Sequence, residues 1–118
     1  MSKVLDRATS HFRAKISGDM KSVFVPEWET KVFFKSSITL REQSKLIELA
    51  TQGKQVEALC ESLIVKARNE DGTKMFNMVD KVTLMNEVDP NVIIRVVGEI
   101  NQANEDENDA DLEKVEKN

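Results

Sequence analysis

The stretch Val23-Phe24-Val25-Pro26-Glu27-Trp28-Glu29-Thr30-Lys31-Val32-Phe33-Phe34 constrains the fold most. It holds the one Trp and three of the five Phe, so much of the large apolar surface must be buried from here. Two runs of β-branched and aromatic residues flank a short Pro-Glu-Trp-Glu-Thr connection, a pattern that predicts two strands joined by a loop. Pro26 closes the first strand because it has no N–H to give to a ladder. Alternation puts Val23, Val25, Val32 and Phe34 on one face, and Phe24 and Phe33 on the other. With both faces apolar, helices are expected to cover at least one of them. The remainder is expected to be mainly helical.

Residues 3–14 read as an amphipathic helix with Val4, Leu5, Ala8 and Phe12 on one side and Ser2 as cap. Such a segment either packs on the domain or docks on a neighbour as an arm. Thr39 and Glu42 have the spacing of a capping box. The helix they start, with Leu46, Ile47, Leu49 and Ala50 apolar, is expected to stop at Gly53. Val56, Leu59, Cys60, Leu63, Ile64 and Ala67 follow helical spacing and predict a core-facing stripe. Lys54, Glu57, Glu61, Lys66 and Arg68 are expected on the solvated side. Asn69-Glu70-Asp71-Gly72 reads as a polar turn and Thr73–Phe76 as extended. Asn77 with Asp80 predicts a helix start, and Met78, Val82 and Met85 are expected along one side of that helix, with Val79 beside them. Asp89-Pro90 is a capping residue followed by Pro at the first helical position. Val92, Ile93, Val96, Val97 and Ile100 then predict a last helix rather than a strand, despite their β-branching.

The expected fold class is α+β: a small N-terminal β-hairpin packed against a bundle of about four helices. Residues 1–103 make one domain, with 1–18 as the candidate arm. Past Ala103 the chain carries Glu105, Asp106, Glu107, Asp109, Asp111, Glu113 and Glu116 against Lys114 and Lys117. This tract has too little apolar surface to offset its ordering entropy, so 104–118 are expected to be a disordered acidic tail.

The net charge of −4 sits mostly in that tail, leaving the body nearly neutral. Without a concentrated basic patch, nucleic acid is not expected as a main partner. No apolar run approaches the roughly 20 residues of a membrane span, so no membrane is expected either. The lone Cys60 lies on an apolar stripe and reads as a small buried hydrophobe. His11 is the one His, and no catalytic partner lies near it in sequence. There is no glycine-rich phosphate loop, HExxH, CxxC or calcium-loop spacing. An enzyme is not expected, nor any cofactor or metal.

At Val25-Pro26-Glu27-Trp28, followed by Lys31-Val32-Phe33-Phe34 and Ile38-Thr39-Leu40-Arg41-Glu42, the chain resembles the tail assembly chaperones of long-tailed bacteriophages. That family opens a small α+β domain with a V-P-E-W strand end, a second strand and a helix start near L-T-x-x-E-R. It often carries Gly where this chain has Glu29 and Thr30. The resemblance spans residues 20–100 or so. It implies a non-enzymatic protein of the host cytoplasm, absent from the finished virion. It further implies a tape measure protein as client, self-association, and a longer frameshift product that recruits tail tube protein. Adaptable apolar surface suits such a client, which makes Met75, Phe76, Met78 and Met85 candidates, with Trp28 beside them. Val92, Val96 and Ile100 are the candidates for self-association. Two alternatives have other requirements. A helical nucleic-acid-binding regulator would place Lys45, Lys54, Lys66 and Arg68 on phosphates; a generic protein-interaction adaptor needs only exposed apolar surface.

Overall fold

The computed structural model describes the backbone of residues 2–116 and the side chains of residues 2–105. Helix α1 spans Lys3–Ser17, and Ser2 caps it by accepting from the Val4 N–H at 3.2 Å. Strands β1 (Lys21–Val25) and β2 (Thr30–Phe34) form the expected antiparallel hairpin, with Val23 opposite Val32 and Lys21 opposite Phe34. The connection is a turn of 3-10 helix, Pro26–Trp28, beginning at the residue that ends the ladder. Glu29 then takes φ 53°, a left-handed conformation uncommon for a side chain with a Cβ. Alternation holds: Val25, Val32 and Phe34 are buried, whereas Phe24 points outward and is 59% exposed.

Helix α2 covers Leu40–Thr51, and the Thr39–Glu42 capping box is formed. Its end is a Schellman motif: Gly53 donates to Ala50 and Lys54 donates to Leu49, with Gly53 at φ 78°. No heavy atom lies within 4 Å of where a Gly53 Cβ would sit, so the glycine serves backbone conformation alone. Gly53→Ala should therefore cost about 1–2 kcal/mol of stability in a denaturation experiment.

Helix α3 (Gln55–Lys66) lies at the centre, packed on α2, α4 (Lys81–Glu87) and α5 (Pro90–Glu116). This position changes the expected stripe. Residues 60–64 are all buried, so α3 is enclosed on every side over its second half. Glu61, expected in solvent, is only 3% exposed. Val56, expected in the core, lies at the projecting first turn and is 65% exposed. Arg68 is not helical either: its N–H and C=O pair with Phe33 at 2.7 and 3.0 Å, extending the hairpin by one bridge. The chain then turns through Gly72 (φ 90°) and bridges back at Lys74, as the polar turn and extended segment predict.

Asn77 and Asp80 form a capping box around a 3-10 turn, Met78–Asp80, that leads into α4. The buried residue of α4 is Leu84; Met78, Val79, Val82 and Met85 face outward. At α5 the Asp89 carboxylate accepts from the Asn91 N–H at 3.0 Å, in keeping with the Asp-Pro start. Val92, Ile93, Val96, Val97 and Ile100 are all buried between α3 and the hairpin. The last helix is traced from Pro90 to Glu116, and its packed part ends near Ala103, where the acidic tract begins. Side chains of the acidic tract past Glu105 lie outside the described residues.

Candidate interaction surface

The candidate residues separate into three groups. Trp28 and Phe76 meet edge to face, with ring centroids 6.2 Å apart, and both are half-buried against the core with Met75. They fasten the hairpin connection to the segment before α4. Val92, Val96 and Ile100 belong to the core and offer no surface, which corrects their assignment to self-association. Both flanks of α5 are already covered, one by α3 and the other by β1. Met78 and Met85 are exposed.

The exposed apolar surface extends beyond the residues singled out from sequence. A groove of about 470 Å³ runs between α2, α3 and α5, lined by Leu46, Ile47, Ala50, Leu59 and Val97. Its polar lining is mostly neutral amides: Gln43, Gln55 and Asn101. A second groove of about 220 Å³ lies between α3, α4 and α5, lined by Val56, Leu59, Met85, Val88, Ile93 and Ile94. Leu59 lines both, so the two grooves form one apolar belt across α3. Ile47, Val56 and Ile94 stand exposed along it. The sequence held a signal for this. Leu46-Ile47 with Leu49-Ala50, and Ile93-Ile94 beside Val96-Val97, are more apolar positions than one helix face can bury.

Two ionic contacts hold the elements that frame the belt. Glu61 Oε2 accepts from Lys81 Nζ at 3.0 Å and Oε1 from Lys45 at 3.2 Å, while Lys81 also reaches Glu57 at 3.1 Å. This cluster ties α2, α3 and α4 together. Burial pushes the Glu61 carboxyl up, but hydrogen bonds from Lys81 and Lys45 outweigh it and hold the group below its ordinary range. The other contact is bidentate: Arg95 on α5 donates to Glu27 at 2.6 and 2.7 Å. Arg95 brings the Glu27 carboxyl down to about 2.

The basic residues required by the nucleic-acid alternative mostly have internal acceptors. Lys45 pairs with Glu61, Lys66 donates to Asn101 at 2.7 Å, and Arg68 donates to the Gly72 carbonyl at 3.3 Å. Burial pushes the Cys60 thiol up, away from the thiolate that a nucleophile needs. Among the described residues no helix is long and apolar enough to cross a membrane.

No protein-family model matches the chain, and no curated protein matches it. A solved structure does: the tail assembly chaperone of bacteriophage HK97, 22% identical, with a TM-score of 0.60. The match covers 85% of this chain and 92% of that one. The hairpin and helices described above therefore share the fold of the HK97 tail assembly chaperone.

Proposed function

We propose that this protein is a phage tail assembly chaperone that holds a tape measure protein soluble while the tail tube forms. The observation that carries the reading is an exposed apolar belt on a domain with the fold of the HK97 chaperone. A long helical client exposes apolar stripes before assembly, and it needs reversible cover along its length. The α2–α3–α5 groove suits it: the wider of the two, it has amide neighbours that accept helices of varied charge. Short contacts of this kind are individually weak, and many copies along one client multiply them. The proposal therefore includes self-association of the chaperone in the host cytoplasm. It also includes a longer product, made by frameshifting, that brings tail tube protein. A slippery heptamer upstream of the Asn118 codon, with an overlapping frame, is the expected genetic mark.

Co-expression with a phage tape measure protein tests the reading. The client should move from the insoluble to the soluble fraction when this protein is present. An unchanged partition overturns the chaperone role.

A further inference from the structure

Lys66 ends α3 at a place where two grooves meet. One is the apolar α2–α3–α5 groove. The other is a polar groove of about 610 Å³ lined by Ser36, Ser37, Thr39 and Asn104. Gln43, Lys66 and Asn101 line both, so the two are continuous.

Among the described residues that line the α2–α3–α5 groove, Lys66 alone carries charge. The amides along the groove are indifferent to the charge of a client, and Lys66 is not. Its side chain is half-buried and donates to the neutral Asn101 amide at 2.7 Å. That contact uses one of three N–H donors and leaves the charge uncompensated. Lys45, Lys81 and Arg95 each pair with a carboxylate instead. Burial pushes the Lys66 ammonium below its ordinary value, and no neighbouring carboxylate opposes it. At the same end, Asn104 Oδ1 is buried without a hydrogen-bond partner. Buried polar atoms are nearly always paired, so an orphan needs a reason. The polar end of the groove thus offers a cation at Lys66 and an acceptor at Asn104.

The first turn of a helix supplies the complement of both. Its N–H groups have no partner within the helix, and the helix dipole favours carboxylates there. We infer that the client helix enters the groove by an acidic first turn, with its carboxylate on Lys66 Nζ and a free N–H on Asn104 Oδ1. Its apolar stripe then runs over Leu46, Ile47, Ala50 and Leu59. The inference rests on the proposed client role and adds the chemistry and direction of the segment bound.

Titration calorimetry of designed amphipathic peptides into the full chain tests it. The peptides share one Leu stripe and differ in the acid: Glu in the first turn, Gln in its place, or Glu moved to the last turn. Wild type should bind the first-turn Glu peptide about tenfold more tightly than either of the others. Lys66→Met keeps an apolar stem of similar length and should bind all three alike; circular dichroism checks that it folds. The comparison on wild type needs no protein variant. A wild type without preference for the first-turn Glu overturns the inference, as does a preference that survives in Lys66→Met. Either result leaves the client role standing, because helix binding itself is seen. Failure of every peptide to bind also overturns the inference, while co-expression decides the client role separately.

Discussion

Phe34→Ala should lower the unfolding free energy by about 3–5 kcal/mol, the cost of removing a large aromatic from a packed site. Phe34 is 1% exposed and closes the inner face of the hairpin where it meets the helical core. Domains of this size have only about 5–15 kcal/mol in total, so the variant should be partly unfolded near body temperature. Phe24 supplies the control. It lies on the outer face of the same hairpin, 59% exposed, and Phe24→Ala should cost less than about 1 kcal/mol. Denaturant midpoints of the two variants measure the difference. Equal losses would mean that the hairpin is not packed with the face described.

The second large effect concerns the buried carboxylate. Lys81→Met removes the donor 3.0 Å from Glu61 and leaves that residue with Lys45, whose side chain is largely in solvent. Leaving a buried charge with no partner costs about 3–5 kcal/mol; Lys45 still reaches Glu61, so the expected loss lies at or below the lower end of that range. The double variant Glu61→Leu/Lys81→Met removes both charges and should recover most of the loss. The pH dependence has a definite sign. In the folded wild type Glu61 lies below its ordinary value of 4.5, so the unfolded chain binds its proton first. The stabilisation is present above pH 4.5 and is lost as the pH falls below it. Glu27 acts in the same direction, losing its contribution between 4.5 and about 2. Without Lys81, burial dominates and pushes the Glu61 carboxyl up. The gap between wild type and Lys81→Met should therefore narrow on acidification. A constant gap at all pH values would show that Glu61 carries no charge at neutrality.

Local signals in this chain translated directly into structure. The Thr39–Glu42 box, the Gly53 stop, the Asn77–Asp80 box and the Asp89 cap are contacts within a few residues, set by backbone geometry. The hairpin register follows from alternation in the same way. What escaped the sequence depends on neighbours far along the chain. Glu61 meets Lys81 20 residues on, and Glu27 meets Arg95 68 residues on. Periodicity identified α3 as a helix, but its rotation and enclosure follow from the three helices packed on it, α2, α4 and α5. The same reason explains the candidate surface. Val92, Val96 and Ile100 looked surplus because the hairpin's claim on α5 was invisible. Met78 and Met85 lie outside because Leu84 alone anchors α4. Surplus apolar positions were legible in α2 and α5, whereas the groove they frame was not.

The central claim is that the α2–α3–α5 groove meets a helical client. Isothermal titration of a tape-measure helix into wild type, Ile47→Glu/Ala50→Glu and Glu70→Ala tests it most directly. The account predicts affinity at least about tenfold weaker for the groove variant, on the order of 1.4 kcal/mol, and unchanged for Glu70→Ala. Equal affinity of all three proteins would contradict it.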